Sequence, residues 1–255
     1  MKRRPRVLIT NDDGIYSKGI HALCGRLKRH CELHVVAPES EQSAAAHSIT
    51  MSEPLRIKPF FKNRKQFGYA VSGTPADCVK IAIRAILKKR PDIVVSGINL
   101  GPNVGYSVLY SGTVSGAREG AIFGIPSVAV SLATFKDPDY EYASAFTSRL
   151  VRLLYEKGLP KGVFLNVNIP ACGETFRRGV RITRQGLSPI IESYEKRQDP
   201  RNESYYWLTG EVIKLKADSS SDINAVKKRY VSVTPLHCDM TRDDFLEEAK
   251  TWKIR

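Results

Sequence analysis

Residues 7 to 14 read VLITNDDG. Val7–Thr10 has the β-branched, apolar texture of a short strand buried on both faces. It ends in two adjacent carboxylates, Asp12 and Asp13, before Gly14 turns the chain. The same texture recurs at Leu33–Ala37 (LHVVA), Asp92–Ser96 (DIVVS), Ser127–Ser131 (SVAVS) and Val163–Val167. Helical patterns lie between these runs, over about Lys18–Arg29, Thr113–Phe123 and Tyr140–Glu156. A further helix opens at Thr74-Pro75-Ala76-Asp77, a cap and first-turn signature, with Val79, Ile83, Ile86 and Leu87 on one face. Short, nearly continuous apolar strands alternating with helices predict an α/β fold: a mostly parallel sheet covered on both sides. Residues 54–60 and 67–71 predict a small β excursion.

After about residue 180 the texture changes. The stretch ESYEKRQDPRNESYYWLTGEVIKL predicts a long β-hairpin, with Tyr205, Trp207 and Leu208 too apolar for a solitary arm; a partner subunit is expected to cover them, with packing on their own domain as the alternative. A short helix near 222–230, a strand at 231–234 and a helix near 241–251 complete the expectation. The chain divides accordingly into a catalytic core over 1–180 and an oligomerisation extension over 181–255 that returns one strand to the core.

The 255 residues suffice for one large domain with a sizeable core. The net charge of +14 favours an anionic ligand. Its basic residues fall in short clusters (MKRRPR, Lys88-Lys89-Arg90, Arg177-Arg178, Lys227-Lys228-Arg229) without interleaved aromatics, which argues against a nucleic-acid surface. Cys24, Cys31, Cys78, Cys172 and Cys238 form no CxxC pair and read as reduced structural thiols. MKRRP is followed by too short an apolar run for a signal peptide, and no stretch has the length of a membrane span, so a cytoplasmic protein is expected.

Ligands of open parallel sheets bind beyond the carboxyl ends of the strands, and three loops there carry unusual polar groups. In NDDG, the mutual repulsion of two carboxylates favours a divalent cation over the alternative, a helix cap. The loop after the second strand, Pro38-Glu39-Ser40-Glu41-Gln42-Ser43, offers hydroxyl, amide and carboxylate oxygens. GINLGPNVG (97–105) alternates Gly97, Gly101 and Gly105 with Asn99 and Asn103, a frame in which backbone approaches a ligand and amides face metal or phosphate. Ser111-Gly112-Thr113 then opens a helix, whose N–H groups and dipole suit an anion. Oxygen ligands without a His or Cys cluster favour Mg²⁺ or Mn²⁺. A hard cation beside an anion-binding helix start indicates phosphoryl chemistry.

TNDDG (10–14), Ser43, SGTPADCVK (72–80), SGINLGPNVG (96–105), YSGTVSGAREG (110–120) and VSVTPLHCDMT (231–241) resemble the SurE family, the stationary-phase survival nucleotidases. The resemblance implies a Rossmann-like three-layer α/β/α core, with a C-terminal hairpin and helix exchanged between subunits of a homodimer or homotetramer. It implies a metal-dependent phosphatase acting on nucleoside 5′- and 3′-monophosphates, with one Mg²⁺ or Mn²⁺ per subunit. The implied metal ligands are Asp12, Asp13, Ser43 and Asn99. Asn11, Asn103, Ser111, Gly112 and Thr113 would surround the phosphate, with Asn11, Asp12 and Asp13 at the catalytic centre. Departures are peripheral: the MKRRP start, and Ala44 where many members carry glycine. Attack by a metal-activated water is the expected mechanism. An aspartyl-phosphate route is the mechanistic alternative, and a basic nucleotide- or RNA-binding protein without activity is the functional one.

Overall fold

Nine strands form one twisted sheet in the order β3-β4-β2-β1-β5-β6-β7-β11-β8 in a computed structural model of the chain. The structure describes residues 3–136, 138–171, 177–187, 190–212 and 218–254. The central strands are β1 (Arg6–Thr10), β2 (Glu32–Pro38), β5 (Ile93–Leu100), β6 (Ser127–Ala133) and β7 (Val163–Pro170), all parallel. β4 (Lys65–Val71) continues the sheet in parallel beside β2, and β3 (Ile57–Lys62) folds back on it as a hairpin. On the other flank β11 (Val231–His237) runs antiparallel to β7, and β8 (Val180–Ile182) pairs with β11.

Helices cover both faces. α1 (Lys18–Leu27) and α5 (Tyr140–Lys157) pack on one side, burying Ile20, Leu23, Leu27, Val151 and Leu154 against Val7, Ile9 and Val95. α2 (Pro75–Ile81), continued by a π-helical turn at Ala82–Ile86, lies on the other side with α4 (Gly112–Ile122), and the one-turn α3 (Ser107–Tyr110) precedes α4. The α2 start follows its sequence: Thr74 and Asp77 form a reciprocal capping box and Pro75 occupies the first turn. Helix α4 approaches the sheet closely because its inner face is small. A Cβ on Gly116 would stand 2.8 Å from Ser96 Oγ and 2.9 Å from Thr10 Cγ2.

The C-terminal third is not a separate layer. β8, α6 (Asp222–Lys227) and β11 belong to the main body, while β9 (Ile190–Gln198) and β10 (Ser204–Val212) form the expected hairpin as a two-stranded sheet of their own. Tyr205, Tyr206, Trp207 and Leu208 on that hairpin are exposed, and α7 (Asp243–Ala249) buries no residue. Cys24, Cys31 and Cys78 are buried thiols and Cys238 is half-buried; Cys172 lies outside the described residues. Among the described residues no helix is long and apolar enough to cross a membrane.

One strand departs from its expected length. β5 continues through Gly97 to Leu100, where the sequence predicts a loop after Ser96. Its register against β6 slips between Gly97 and Asn99. Gly97 adopts φ +142°, and any Cβ there would collide with the Val130 carbonyl. Such a bulge bends a strand and re-aims the next side chains. Here those are Asn99 and Leu100, at the head of the sheet.

Candidate active site

Asp12 and Asp13 follow directly on β1, beside the heads of β2 and β5. Asn11 pins the turn that carries them: its Nδ2 donates to Gly14 O at 2.9 Å and to Ser17 Oγ at 2.8 Å. Gly14 takes φ +87°, which lets the chain turn back toward Ser17, the cap of α1. Asn11 therefore shapes the carboxylate turn. Its buried Oδ1 has no partner among the described residues.

Asp12 is 6% exposed. Its Oδ2 accepts from Thr113 N at 3.0 Å, and its Oδ1 accepts a short bond from Thr113 Oγ1. The start of α4 thus holds an anion, and that anion is the protein's own carboxylate. Gly112 makes the approach possible, since a Cβ there would lie 2.9 Å from Asp12 Cβ. Ser111 caps the helix, accepting from Val114 N at 3.1 Å. Burial pushes the Asp12 carboxyl up, and the bonds from Thr113 act against that.

Among the described residues Asp13 accepts only a long bond, 3.3 Å, from Leu100 N. Burial and then the charge of Asp12 push it up to about 7. Neither carboxylate has an ion-pair partner among the described residues. Asn99 donates Nδ2 to Gly101 O at 2.8 Å, which leaves Oδ1 for another partner. Ser43 is exposed and donates to Glu41 Oε1, in a loop tied to the site by Gln42 N donating to Asp12 O at 2.8 Å. Among the described residues no three His, Cys, Asp or Glu cluster together. A cation here would draw on two carboxylates completed by neutral oxygens, and two mutually repelling carboxylates, one buried and one half-buried, without a countercharge fit a hard divalent ion.

Asn103 is 8% exposed. Its Nδ2 donates to Ser131 Oγ at 2.8 Å, its N–H to Asn168 Oδ1 at 2.7 Å, and its carbonyl accepts from Asn166 and Asn168, both at 2.8 Å. In this arrangement Asn103 fastens the 101–105 loop to β7. Asn166 and Asn168 went unread in the sequence, although alternate asparagines in an otherwise apolar strand (VFLNVNIP) are a signal that one face meets polar groups.

Two further groups brace the site. Asp222 Oδ2 accepts from Gly105 N at 3.0 Å, and its Oδ1 from Gly186 N at 2.9 Å and Ile223 N at 2.7 Å. Glu119, 2% exposed on α4, accepts from His47 Nε2 and Lys80 Nζ, each at 2.8 Å. Burial pushes Glu119 up, but the bonds from His47 and Lys80 outweigh it and hold the carboxyl below its ordinary range. His47 belongs to the loop carrying Ser43, so Glu119 ties that loop to α4 and α2. His237 ends β11 with no place in this cluster.

The family model for survival protein SurE matches residues 7–191. The 5′-nucleotidase SurE of Syntrophobacter fumaroxidans is 47% identical over 249 residues, covering 98% of this chain and 100% of the relative. The protein of the same name from Caldanaerobacter subterraneus is 45% identical, with 97% of each chain covered. The crystal structure of the SurE protein from Aquifex aeolicus superposes with a TM-score of 0.84 at 41% identity, over 96% of this chain and 98% of that one.

Proposed function

The chain belongs to the SurE family, and on that premise we propose that it is a 5′-nucleotidase whose chemistry takes place at the heads of β1 and β5. It hydrolyses the phosphomonoester of nucleoside 5′-monophosphates, and we extend the substrate class to 3′-monophosphates. One observation carries the placement of the site: two adjacent carboxylates, Asp12 buried and Asp13 half-buried, that meet no protein cation among the described residues. Bare, they would repel a phosphate, so a cofactor must reverse the local charge.

In this reading Asp12, Asp13, Ser43 and Asn99 would hold one Mg²⁺ or Mn²⁺ per subunit. When bound, such an ion supplies charge neutralisation at a phosphoryl oxygen and lowers the pKa of water. The chain's own residues do the rest. Asn11 fixes the turn that orients both carboxylates. Thr113 aims Asp12 through its backbone and hydroxyl bonds. The capped start of α4, at Ser111 and Gly112, turns a positive dipole end toward the phosphate. The asparagine network around Asn103 holds the glycine-rich loop in place. Water is the nucleophile, a single displacement that inverts a chiral phosphorus; the aspartyl-phosphate alternative, two successive displacements with water cleaving the P–O bond to the carboxylate, predicts retention.

Exposed Trp207 and Leu208 on the hairpin, and Phe245, Leu246 and Trp252 around α7, support a homodimer or homotetramer in which these arms pack on a partner subunit. The reading is tested by phosphate release from a panel of 5′- and 3′-monophosphates in EDTA, Mg²⁺ or Mn²⁺. Release is expected only with metal. Nucleotide binding without release under any condition would favour the non-catalytic reading, which the +14 charge supports.

A further inference from the structure

β5 and β6 are parallel neighbours, and their carboxyl ends carry Leu100 and Ala133 to the same edge of the sheet. Beyond Ala133 the chain makes a tight turn. Thr134 Oγ1 donates to Lys136 O at 2.6 Å and accepts from Lys136 N at 3.0 Å, which fixes Phe135 at the apex. Phe135 is 76% exposed, an unusual position for a ring at the mouth of a polar site.

The ring is not loose in solvent. Its edge rests on Gly101: a Cβ there would lie 2.5 Å from Phe135 Cε1 and 2.9 Å from Cζ. Gly101 accepts the amide of Asn99 and follows Leu100, whose N–H meets Asp13. Through these two residues the ring edge stands no more than about 12 Å from the Asp13 carboxylate. A phosphate held near Asp13 and the ribose attached to it span such a gap. Tyr140, which opens α5 after this turn, also senses the site: burial and then the charge of Asp13 push its phenol up.

We infer that Phe135 is a stacking platform for the nucleobase, and so the residue that separates nucleotides from simpler phosphomonoesters. The inference rests on the nucleotidase reading. Stacking on an aromatic face requires no base-specific hydrogen bonds and tolerates all bases. Phe135 thereby acts on substrate choice, while the groups around Asp12 and Asp13 act on the phosphoryl group.

The test compares kcat/KM for adenosine 5′-monophosphate with that for ribose 5-phosphate, which carries the same ester and no base. In Phe135→Ala the ratio is expected to fall about 5- to 150-fold, the range that loss of one base–aromatic stack gives. Phe135→Tyr should restore it, and Phe135→Leu should not. An unchanged ratio in an active Phe135→Ala enzyme, or equal losses on both substrates as shielding by a partner subunit would produce, overturns the stacking role alone. A wild-type protein that releases phosphate from neither compound overturns the nucleotidase reading and the stacking role with it.

Discussion

Asp13→Asn should stabilise the metal-free protein, by an amount that grows as pH rises from about 4 and is full above about pH 7. The side chain keeps its shape and can still accept from Leu100 N. What it loses is a charge held in a poorly solvated place beside Asp12. The folded-state pKa of Asp13, about 7, lies above the ordinary carboxyl value of 3.8. Between those two values the native state therefore binds more protons than the unfolded state, and stability falls as pH rises. The penalty is absent below about pH 4 and complete above about pH 7. Taken at face value, the difference between 3.8 and about 7 corresponds to roughly 4 kcal/mol. Asp13 is only half-buried, so water screens part of this and about 1–2 kcal/mol is expected. For a domain of this size that is roughly 2–8 °C in Tm. Thermal melts of both proteins in EDTA, from pH 5 to 8, check it. The wild-type curve should drop away from that of Asp13→Asn as pH rises, and Mn²⁺ should close the gap from the wild-type side. Parallel curves across the whole range would refute the idea that Asp13 carries an uncompensated charge.

Other perturbations address the groups that hold the site. Thr113→Val removes the hydroxyl that donates to Asp12 and should weaken Mn²⁺ binding about 10-fold or more, read by metal titration. Asp222→Asn replaces one acceptor by a donor that faces a backbone N–H. It should cost about 1–3 kcal/mol in urea unfolding and speed hydrogen exchange at Gly105. Lys80→Met leaves Glu119 with His47 as its remaining ion-pair partner. Because Lys80 is partly solvated, the loss in urea should be about 1–2 kcal/mol, below the 3–5 typical of a fully buried pair.

The sheet was legible because its central strands are short apolar runs separated by helical patterns, which leaves parallel crossover units as the economical arrangement. The carboxylate turn was legible for a different reason: adjacent aspartates after a buried strand have few structural explanations. What stayed hidden depends on distance in the chain or on burial. Asn99 reads as a loop residue because nothing local announces that Gly97 bulges a strand which then continues. β8 is three residues long and gains its identity only from β11, some fifty residues later. Glu119 in SGAREGA reads as a solvated helix charge, yet it is buried between partners 72 and 39 residues away. At the start of α4, local sequence could not reveal that Thr113 donates to Asp12, 101 residues away.

The central claim is that Asp12 and Asp13 sit together because a divalent cation separates them from the substrate phosphate. Mn²⁺ binding, followed by electron paramagnetic resonance on wild type, Asp12→Asn and Asp13→Asn, tests it most directly. The account predicts about one hard-ion site per chain in wild type, and a loss of at least about 100-fold in affinity in each variant, the upper end of what altering a mere supporting group costs. Equal Mn²⁺ affinity in all three proteins would contradict it.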